Sequence, residues 1–195
     1  MCVVPRFWEK VYAGVMERMH KSSPVQRRML EEALRVGHTY NVEYKMRGLV
    51  PPLSLKLQYA FYEKTVIALL LKTLGLERHN FFPTAGAAIS PQVEEFMRSV
   101  GLLLVIGYGM TETTATVTLD RWDKPITIGS VGRLLNGVQL KFGDNNEVLL
   151  KGDTITKGYY RKAEVTALAI DEEGWFHTGD AGYIKDGELF LTDRI

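Results

Sequence analysis

The sequence predicts an α/β fold, a parallel sheet with helices, that continues into a small antiparallel β-subdomain. Two strand-like runs, residues 79–84 and 102–106, are separated by a helical pattern, and this alternation is typical of a parallel sheet. Further along, short strands are separated by tight turns, of which Asp186-Gly187 is a two-residue hairpin signal. We therefore expect an α/β part over residues 1–126 and a β-rich part over residues 127–195.

Three amphipathic helices are predicted before the first strand. The first runs from Val3 to about Met19, with Pro5 in its first turn and apolar residues at three- and four-residue spacing. The second begins at Ser23-Pro24 and is expected to stop at Gly37. The apolar stripe of the first helix consists of Val4, Phe7, Val11, Val15 and Met19.

The third predicted helix spans residues 53–74 and ends at Gly75, after a polar, irregular segment over residues 39–52. An apolar stripe along this helix could line a lipid tunnel, but a single stripe more often forms core. We interpret it as core. The stripe consists of Leu57, Phe61, Ala68 and Leu71.

Two loops follow the predicted strands. Residues 85–89 form a small-residue loop, after which Ser90-Pro91 starts a helix that ends near Val100. Residues 107–113 form a glycine loop after the second strand. Parallel sheets bind ligands at the carboxyl ends of their strands, so both loops are candidate binding segments.

The loop over residues 107–113 combines groups that suit a nucleotide. Gly107 and Gly109 leave the backbone bare for the approach of a flat ring, and Tyr108 offers an aromatic face. Thr111 supplies a hydroxyl, and Glu112 supplies a carboxylate of the kind that binds Mg²⁺. The alternative is a glycine turn before a helix that Thr111 caps and whose dipole favours Glu112.

A second candidate group lies in the β-rich part. Asp180 follows a predicted Thr178-Gly179 turn, and its carboxylate can accept two hydrogen bonds at once, as the two hydroxyls of a ribose require. Arg194 offers a guanidinium with several donors. The alternative is an ordinary turn with Trp175 in the core. Around these residues, we expect strands over 138–142, 147–150, 182–185 and 188–191 and a helix over 163–170.

The composition excludes several classes of protein. The 195 residues are 46% hydrophobic and 24% charged with a net charge of +1, which gives no nucleic-acid signature. Residues 1–80 carry 13 Lys and Arg against 7 Asp and Glu; such a bias could attract phosphates or an anionic membrane, but is more often a solvated surface. The four histidines lack metal-ligand spacing. Cys2 is the only cysteine and no apolar run could span a bilayer, which favours a cytoplasmic protein.

The order of these motifs resembles the acyl-adenylate-forming superfamily, which includes acyl-CoA synthetases and luciferases. The small-residue loop precedes Tyr108-Gly109-Met110-Thr111-Glu112, and three further motifs follow at matching spacings. They are Lys157-Gly158-Tyr159-Tyr160, the run from Trp175 to Asp180, and Asp193-Arg194. The resemblance covers nearly the whole chain, and the run from Val4 to Tyr12 is most similar to the long-chain fatty acyl-CoA synthetases.

The resemblance implies a binding surface for AMP. Gly86, Ala87 and Ala88 match the loop that lies against adenine and ribose, and Tyr108 matches the ring that stacks on adenine. The glycine loop contributes further nucleotide contacts through Gly107, Gly109 and Met110.

The resemblance also implies the groups that act on phosphate, metal and ribose. Thr111 matches the hydroxyl near the α-phosphate, and Glu112 matches the Mg²⁺ carboxylate, so these two are the candidate catalytic residues. Asp180 matches the acceptor of the ribose diol, and Arg194 a second ribose contact. Asp193 falls at the hinge before the family's small C-terminal domain.

The implied activity is the ATP-dependent conversion of a long-chain fatty acid to acyl-AMP and pyrophosphate, followed by transfer of the acyl group to CoA. ATP and Mg²⁺ are the implied cofactors, and CoA is the co-substrate. The implied partners are these small molecules, with no nucleic acid and no transmembrane segment. Peripheral membrane contact and the oligomeric state stay open.

Two parts of the family pattern are not found in the chain. One is the loop whose lysine holds the β- and γ-phosphates, and the other is the lysine-bearing C-terminal lid, expected after Ile195. Ile89 and Asn146 are smaller departures. We therefore expect the C-terminal half of the family's large N-terminal domain, inactive by itself. The alternatives are an adenylating enzyme for another acid or for a carrier-protein acceptor, and a non-catalytic nucleotide-binding relative.

Overall fold

Helices make up most of the chain up to residue 73, as the apolar spacing predicts. The structure is a computed structural model that describes residues 3–78, 80–121 and 123–195. Helix α1 is Pro5–Lys21 and helix α2 is Pro24–His38. A proline occupies the first turn of each helix, and Ser23 and Gln26 form a capping box at the start of α2.

Helix α1 buries the predicted face, on which Val15 is buried and Trp8, three residues before Val11, is fully buried. Val4, the first residue of the predicted stripe, precedes the helix and is exposed. The Trp8 indole Nε1 donates to the Thr84 hydroxyl at 3.1 Å inside the core. An indole buries a large apolar surface and needs a partner for its N–H, which the Thr84 hydroxyl supplies.

The first predicted strand is confirmed as β1 (Phe82–Thr84), while His79, where the prediction begins, lies outside the described residues. The Phe82 N–H donates to the Leu103 carbonyl at 2.8 Å. Val3 and Thr84 form a parallel bridge. Strand β1, which precedes the loop over residues 85–89, is therefore paired in parallel at Thr84.

Gly37 does not end α2, because its role is to let two helices approach. The chain continues from α2 into a π-helical segment, Thr39–Lys45. A Cβ at Gly37 would collide with the backbone carbonyl of Ser99, the last residue of helix α5 (Pro91–Ser99). The predicted stop at Gly37 and the irregular structure predicted at the start of residues 39–52 are therefore wrong.

We expect Gly37→Ala to lower the free energy of unfolding by about 2 kcal/mol, because the new methyl group would force α2 and α5 apart. Gly14→Ala in α1 is the matched control. No atom lies within 4 Å of its added Cβ, so it should raise the free energy of unfolding by about 0.5–1 kcal/mol. Urea denaturation measures both changes. Equal effects of the two substitutions would contradict the packing role of Gly37.

The third predicted helix is interrupted by a π-helical segment. It consists of α3 (Leu53–Tyr62), the π-helical residues Glu63–Ile67 and α4 (Ala68–Thr73), and the chain leaves it at Gly75, as predicted. Helix α3 buries Tyr59, which is not part of the predicted stripe. The π-helical turn that follows holds more residues than an α-helical turn, so the stripe does not continue on one face. Leu57 is 65% exposed, and Phe61 and Ala68 are also exposed, so the core interpretation holds only for Leu71. Among the described residues, no helix is long and apolar enough to cross a membrane.

A buried ion pair holds the beginning of the next strand, β2 (Leu104–Tyr108). Arg98 Nε donates to Glu94 at 2.7 Å, and both side chains are almost completely buried. Arg98 also donates to the Leu104 carbonyl at 3.1 Å, and the Gly129 N–H donates to Glu94 at 2.9 Å. Such additional hydrogen bonds are needed to offset the lost hydration of a buried charge pair.

Contacts divide the chain into two compact units. The first consists of Met1–Val105 and Trp122–Gly129, and the second of Ile106–Arg121 and Ser130–Ile195. The chain thus passes from the first unit to the second within β2. The predicted boundary after residue 126, between the α/β part and the β-rich part, stays a prediction.

The second unit is antiparallel. The end of β2 pairs with β3 (Thr118–Leu119), and β3 pairs with β4 (Arg133–Leu134). A further sheet has the strand order β5-β6-β7-β8. Together with the parallel pairing in the first unit, this confirms the predicted α/β fold class. The remaining elements are β5 (Val138–Phe142), β6 (Glu147–Gly152), α6 (Ala163–Ala169), β7 (Phe176–Lys185) and β8 (Glu188–Arg194).

Strand β7 begins earlier than predicted, at Phe176 rather than Gly182. It therefore includes Thr178-Gly179, which the sequence predicts to be a turn. Gly179 has a φ of +70°, and the β7–β8 register shifts at Ala181. The chain bends at these positions without leaving the sheet, since a bulge changes the strand's direction while the pairing resumes on either side.

Candidate functional site

The loop after β2 is a tight turn and not the start of a helix. Thr111–Thr113 forms a single 3-10 turn. The buried Thr113 hydroxyl accepts from the Met110 N–H at 3.0 Å and donates to the Ala115 carbonyl at 2.9 Å. Thr113 therefore closes the turn, while Thr111 is exposed. The alternative interpretation, in which Thr111 caps a helix, is wrong.

Gly107 and Gly109 let the loop fold back on itself. A Cβ at Gly109 would collide with the Ala115 carbonyl, and a Cβ at Gly107 would lie 2.9 Å from the Thr118 carbonyl. Thr114 and Ala115 have φ angles of +53° and +82°, which are strained for residues with a side chain. The protein's own backbone thus fills the space beside these two glycines, where the sequence predicts the approach of a flat ring. Contact of these glycines with a nucleotide stays a prediction.

Tyr108 connects this loop to the predicted ribose acceptor. Its hydroxyl donates to Asp180 Oδ2 at 2.6 Å. The residue is 9% exposed, and it packs in an apolar cluster with Val117, Val148 and Leu189. Burial, and then the hydrogen bond to Asp180, raise the pKa of Tyr108 well above its usual value, so the phenol keeps the proton that it donates. Stacking of adenine on the exposed part of the ring stays a prediction.

Asp180 and Arg194, the two predicted ribose contacts, lie opposite each other on β7 and β8. Arg194 Nε is 3.8 Å from Asp180 Oδ1, the oxygen that Tyr108 does not engage. The Arg194 side chain is 79% exposed, so the ion pair adds little stability and the guanidinium stays accessible. The structure therefore brings Tyr108, Asp180 and Arg194 together.

Glu147 holds the backbone beside Asp180, and no motif in the sequence singles it out. Its carboxylate accepts from the Gly179 N–H at 2.9 Å and lies 2.9 Å from His177 Nδ1. The Thr178 hydroxyl accepts from the Asp180 N–H at 3.1 Å. These contacts fix the bend that presents Asp180. Glu147 begins a different strand, 32 residues before Gly179, so no local pattern connects the two.

Glu112, the predicted magnesium ligand, is held by Tyr159. The Tyr159 hydroxyl donates to Glu112 Oε1 at 2.9 Å, and the Thr156 N–H donates to the Glu112 carbonyl at 2.7 Å. The side-chain hydrogen bond raises the pKa of Tyr159, because deprotonation would place two negative charges side by side. Tyr159 belongs to a motif that supports the family resemblance, but the motif alone does not predict this contact.

Helix α6 fixes the backbone of Tyr159. The Thr166 hydroxyl accepts from the Tyr159 N–H at 2.9 Å and donates to the Lys162 carbonyl at 2.9 Å. Gly158, with a φ of +136°, lies so close that an added Cβ would be 2.5 Å from Thr166 Cγ2. A glycine is therefore needed at this position, and the phenol of Tyr159 is presented to Glu112 from a fixed backbone.

The Glu112 carboxylate fits a magnesium ion. Its Oε2 has no protein partner among residues 3–78, 80–121 and 123–195. In the same residues, no group of three or more His, Cys, Asp and Glu side chains could hold a metal ion. A single carboxylate suits Mg²⁺, which proteins commonly bind through one or two carboxylates together with substrate phosphates and water.

Gly86, Ala87 and Ala88 belong to the first unit. They are exposed and lie between β1 and α5. Gly86 has a φ of +94°, and no atom lies within 4 Å of its added Cβ. The predicted order of strand, loop and helix is confirmed here, and contact with adenine stays a prediction.

Comparisons with known proteins agree with the motif order. A family model described as "AMP-binding enzyme" matches residues 1–160. A long-chain-fatty-acid–CoA ligase of Xenopus laevis is 32% identical over 198 residues, which cover 98% of this chain and 26% of the relative. A long-chain-fatty-acid–CoA ligase of Mycobacterium bovis is 30% identical over 192 residues, covering 98% of this chain and 31% of the relative. The chain thus spans about a quarter to a third of the length of these relatives.

A solved structure shows the same similarity in three dimensions. It is a malonyl-CoA ligase with methylmalonyl-CoA and AMP bound. The match covers 68% of this chain and 31% of that chain, with 28% identity and a TM-score of 0.55.

Proposed function

The chain belongs to the AMP-binding enzyme family, and from this premise we propose that it carries the adenosine, α-phosphate and metal-binding part of a site that activates a fatty acid with ATP. The hydrogen bond of 2.6 Å between Tyr108 and Asp180 carries the proposal. It joins the residue proposed to stack on adenine to the residue proposed to accept the ribose hydroxyls. Arg194, across the ladder, supplies a donor for the same ribose.

The first step of the proposed reaction is attack of the acid's carboxylate on the α-phosphate of ATP, which forms acyl-AMP and releases pyrophosphate. Two anions meet in this step, so their charge must be offset. The exposed Thr111 hydroxyl would donate to an α-phosphate oxygen, and Glu112 Oε2 would hold Mg²⁺. The ion would supply positive charge to the phosphates.

The second step is attack of the CoA thiolate on the carbonyl carbon of acyl-AMP, which forms the thioester and releases AMP. In both steps Asp180 and Arg194 would hold the ribose, so that the α-phosphate and its acyl group keep a fixed position. Such positioning replaces an encounter in solution with a reaction between groups already in place.

A long-chain fatty acid is the proposed substrate, because the matching relatives from Xenopus laevis and Mycobacterium bovis are long-chain-fatty-acid–CoA ligases. Acid-dependent ATP–pyrophosphate exchange across a panel of acids, in a complete protein that contains this chain, tests the proposal. Exchange should be highest with long-chain acids. A preference for aromatic or amino acids would overturn the substrate, and transfer to a carrier protein instead of CoA would overturn the acceptor.

We expect the 195-residue chain alone to give no ATP–pyrophosphate exchange with palmitate. The residues proposed here bind adenosine, the α-phosphate and the metal, and none is assigned to the β- and γ-phosphates, whose charge must also be offset. The complete protein is the positive control in the same assay. Exchange by the isolated chain well above the background without enzyme would contradict this expectation.

Tyr159→Phe should raise the Mg²⁺ concentration for half-maximal exchange about tenfold in the complete protein, because it removes a hydrogen bond to an ionised carboxylate. The maximal rate at saturating Mg²⁺ should change little, since Tyr159 is a positioning residue for Glu112. Tyr160→Phe is the matched control, because Tyr160 is the adjacent tyrosine and is exposed. An unchanged Mg²⁺ dependence in Tyr159→Phe would remove Tyr159 from the site.

A further inference from the structure

The turn between β4 and β5 contains the one Asn-Gly pair of the sequence, Asn136-Gly137. The Val138 N–H donates to the Leu135 carbonyl at 3.3 Å, which closes the turn. Gly137 has a φ of +86°, a conformation that suits a residue without a side chain. Both residues of the pair are exposed. Water therefore reaches the side-chain amide of Asn136 and the peptide bond that follows it.

The side-chain amide of Asn136 and the peptide nitrogen of Gly137 are both free to react. Within residues 3–78, 80–121 and 123–195, neither the Asn136 side chain nor the Gly137 N–H makes a hydrogen bond. No atom lies within 4 Å of a Cβ added at Gly137, so the surrounding chain does not crowd this peptide bond. A reaction between neighbouring groups of one chain needs no encounter in solution.

We propose that Asn136 is a site of spontaneous deamidation. Hydroxide removes the proton of the Gly137 peptide nitrogen, and this nitrogen attacks Cγ of Asn136. A bond forms between these two atoms, the bond from Cγ to Nδ2 breaks, and ammonia leaves after taking a proton from water. The product is a five-membered succinimide ring.

Water opens the succinimide ring in one of two ways. Cleavage of the bond between the Gly137 nitrogen and Cγ gives aspartate in an ordinary main chain. Cleavage of the bond between the same nitrogen and the main-chain carbonyl carbon of residue 136 gives isoaspartate, whose main chain runs through Cβ and Cγ and is longer by one CH₂. Both products carry a new carboxylate. The whole reaction consumes one water and releases one ammonia, with no oxidant or reductant.

The other four asparagines lack this combination of features. Asn41 lies in the π-helical segment Thr39–Lys45, and its Nδ2 donates to the Ser99 carbonyl at 3.4 Å. A side chain on the following residue hinders the approach of the peptide nitrogen to Cγ, and each of the four is followed by such a residue. The pairs are Asn41-Val42, Asn80-Phe81, Asn145-Asn146 and Asn146-Glu147.

An isoaspartate at residue 136 would strain the turn, because both ends of the turn are fixed. The Leu135 N–H donates to the Val117 carbonyl at 2.9 Å. Val138 is buried in the apolar cluster that contains Val117 and Tyr108. One more main-chain atom between these ends would displace one of them, so isoaspartate should lower the stability of the second unit. The inference uses only the contacts of this turn and does not depend on the proposed nucleotide site.

Incubation of the folded 195-residue chain at mildly alkaline pH, followed by proteolysis and tandem mass spectrometry, tests the site. Aspartate and isoaspartate should both appear at residue 136, at a rate that rises in proportion to the hydroxide concentration. Every other asparagine should convert at least about tenfold more slowly, a difference of about 1.4 kcal/mol in the barrier. Conversion of another asparagine at an equal or higher rate would overturn the proposal.

A synthetic peptide of residues 133–140 shows how far the fold slows the reaction. Ring closure in the folded chain requires rotation about the Cα–C bond of Asn136 and breaks the hydrogen bond of 3.3 Å between Val138 and Leu135. One such bond contributes about 1 kcal/mol, so the folded chain should convert only about five- to tenfold more slowly than the peptide. A rate about 10³-fold lower, or about 4 kcal/mol in the barrier, would overturn the proposal.

Two substitutions test the effect of the added main-chain atom. The isoaspartate form should unfold at a thermal midpoint about 3 °C below that of the fresh chain. Asn136→Asp carries the new charge without the added atom and should keep the midpoint of the fresh chain. Asn136→Gln would have to form a six-membered ring, so incubation should leave its midpoint unchanged. An equal fall of the midpoint in incubated Asn136→Gln would assign the loss to another reaction and overturn the proposal.

Discussion

Glu112→Gln, introduced into a complete protein that contains this chain, is expected to abolish adenylation while the protein stays folded. The amide has nearly the shape of the carboxylate and can still accept from Tyr159 at the position of Oε1. It lacks the negative charge with which a carboxylate binds Mg²⁺. We expect ATP–pyrophosphate exchange to fall about 10³-fold, which corresponds to roughly 4 kcal/mol of lost transition-state stabilisation.

Glu172→Gln is the matched control, because Glu172 is an exposed carboxylate of the same unit. The same change of charge there should leave the exchange rate unchanged. Thermal unfolding of both variants shows whether they are folded. Near-normal exchange in Glu112→Gln would remove Glu112 from metal binding.

Asp180→Asn is expected to weaken AMP binding roughly thirtyfold, or about 2 kcal/mol, because one ionised acceptor of the ribose hydroxyls becomes an amide. The Tyr108 hydroxyl can still donate to the amide oxygen, so the fold around it should be kept. Asp153→Asn is the matched control, since Asp153 is exposed and belongs to the same unit. Calorimetric titration with AMP measures the change.

An AMP analogue without the 2′- and 3′-hydroxyls separates ligand contact from a structural effect. If Asp180 accepts from the ribose, the unsubstituted protein should bind this analogue about as weakly as Asp180→Asn binds AMP. Asp180→Asn should then cause little further loss with the analogue. An equal loss of affinity for AMP and for the analogue would show that Asp180 acts only through its contact with Tyr108.

The elements that depend on neighbouring residues could be predicted from the sequence. Helices α1, α2 and α5 begin at a proline in the first turn, and the caps at Ser23 and Ser90 are formed by residues that follow within three positions. The hairpin at Asp186-Gly187 is likewise local. The order of the motifs along the chain, together with the spacings between them, then identified the family.

The misinterpreted positions depend on residues far away in the sequence. Gly37 looks like a helix stop, but the carbonyl of Ser99 decides its role. Leu57 and Phe61 are exposed because helix α3 buries Tyr59 instead, and the π-helical segment that follows, Glu63–Ile67, changes the face of the helix before Leu71. Periodicity assumes a constant number of residues per turn, so it cannot show such a change.

The candidate site shows the same division between local and distant contacts. Tyr108, Glu112 and Asp180 could be selected from their motifs, because each residue type matches a part of a nucleotide. Tyr159 and Glu147 could not, since each acts on a residue about thirty or more positions away. Side chains that hold a functional group in place are recognised only when the folded chain brings them next to it.

The most direct test of the proposed nucleotide site is calorimetric titration of the 195-residue chain with AMP. We predict saturable binding of one AMP per chain, which Asp180→Asn weakens and Asp153→Asn leaves unchanged. The absence of saturable binding by the folded, unsubstituted chain would contradict the claim that Tyr108, Asp180 and Arg194 form the ribose and adenine part of an adenylation site.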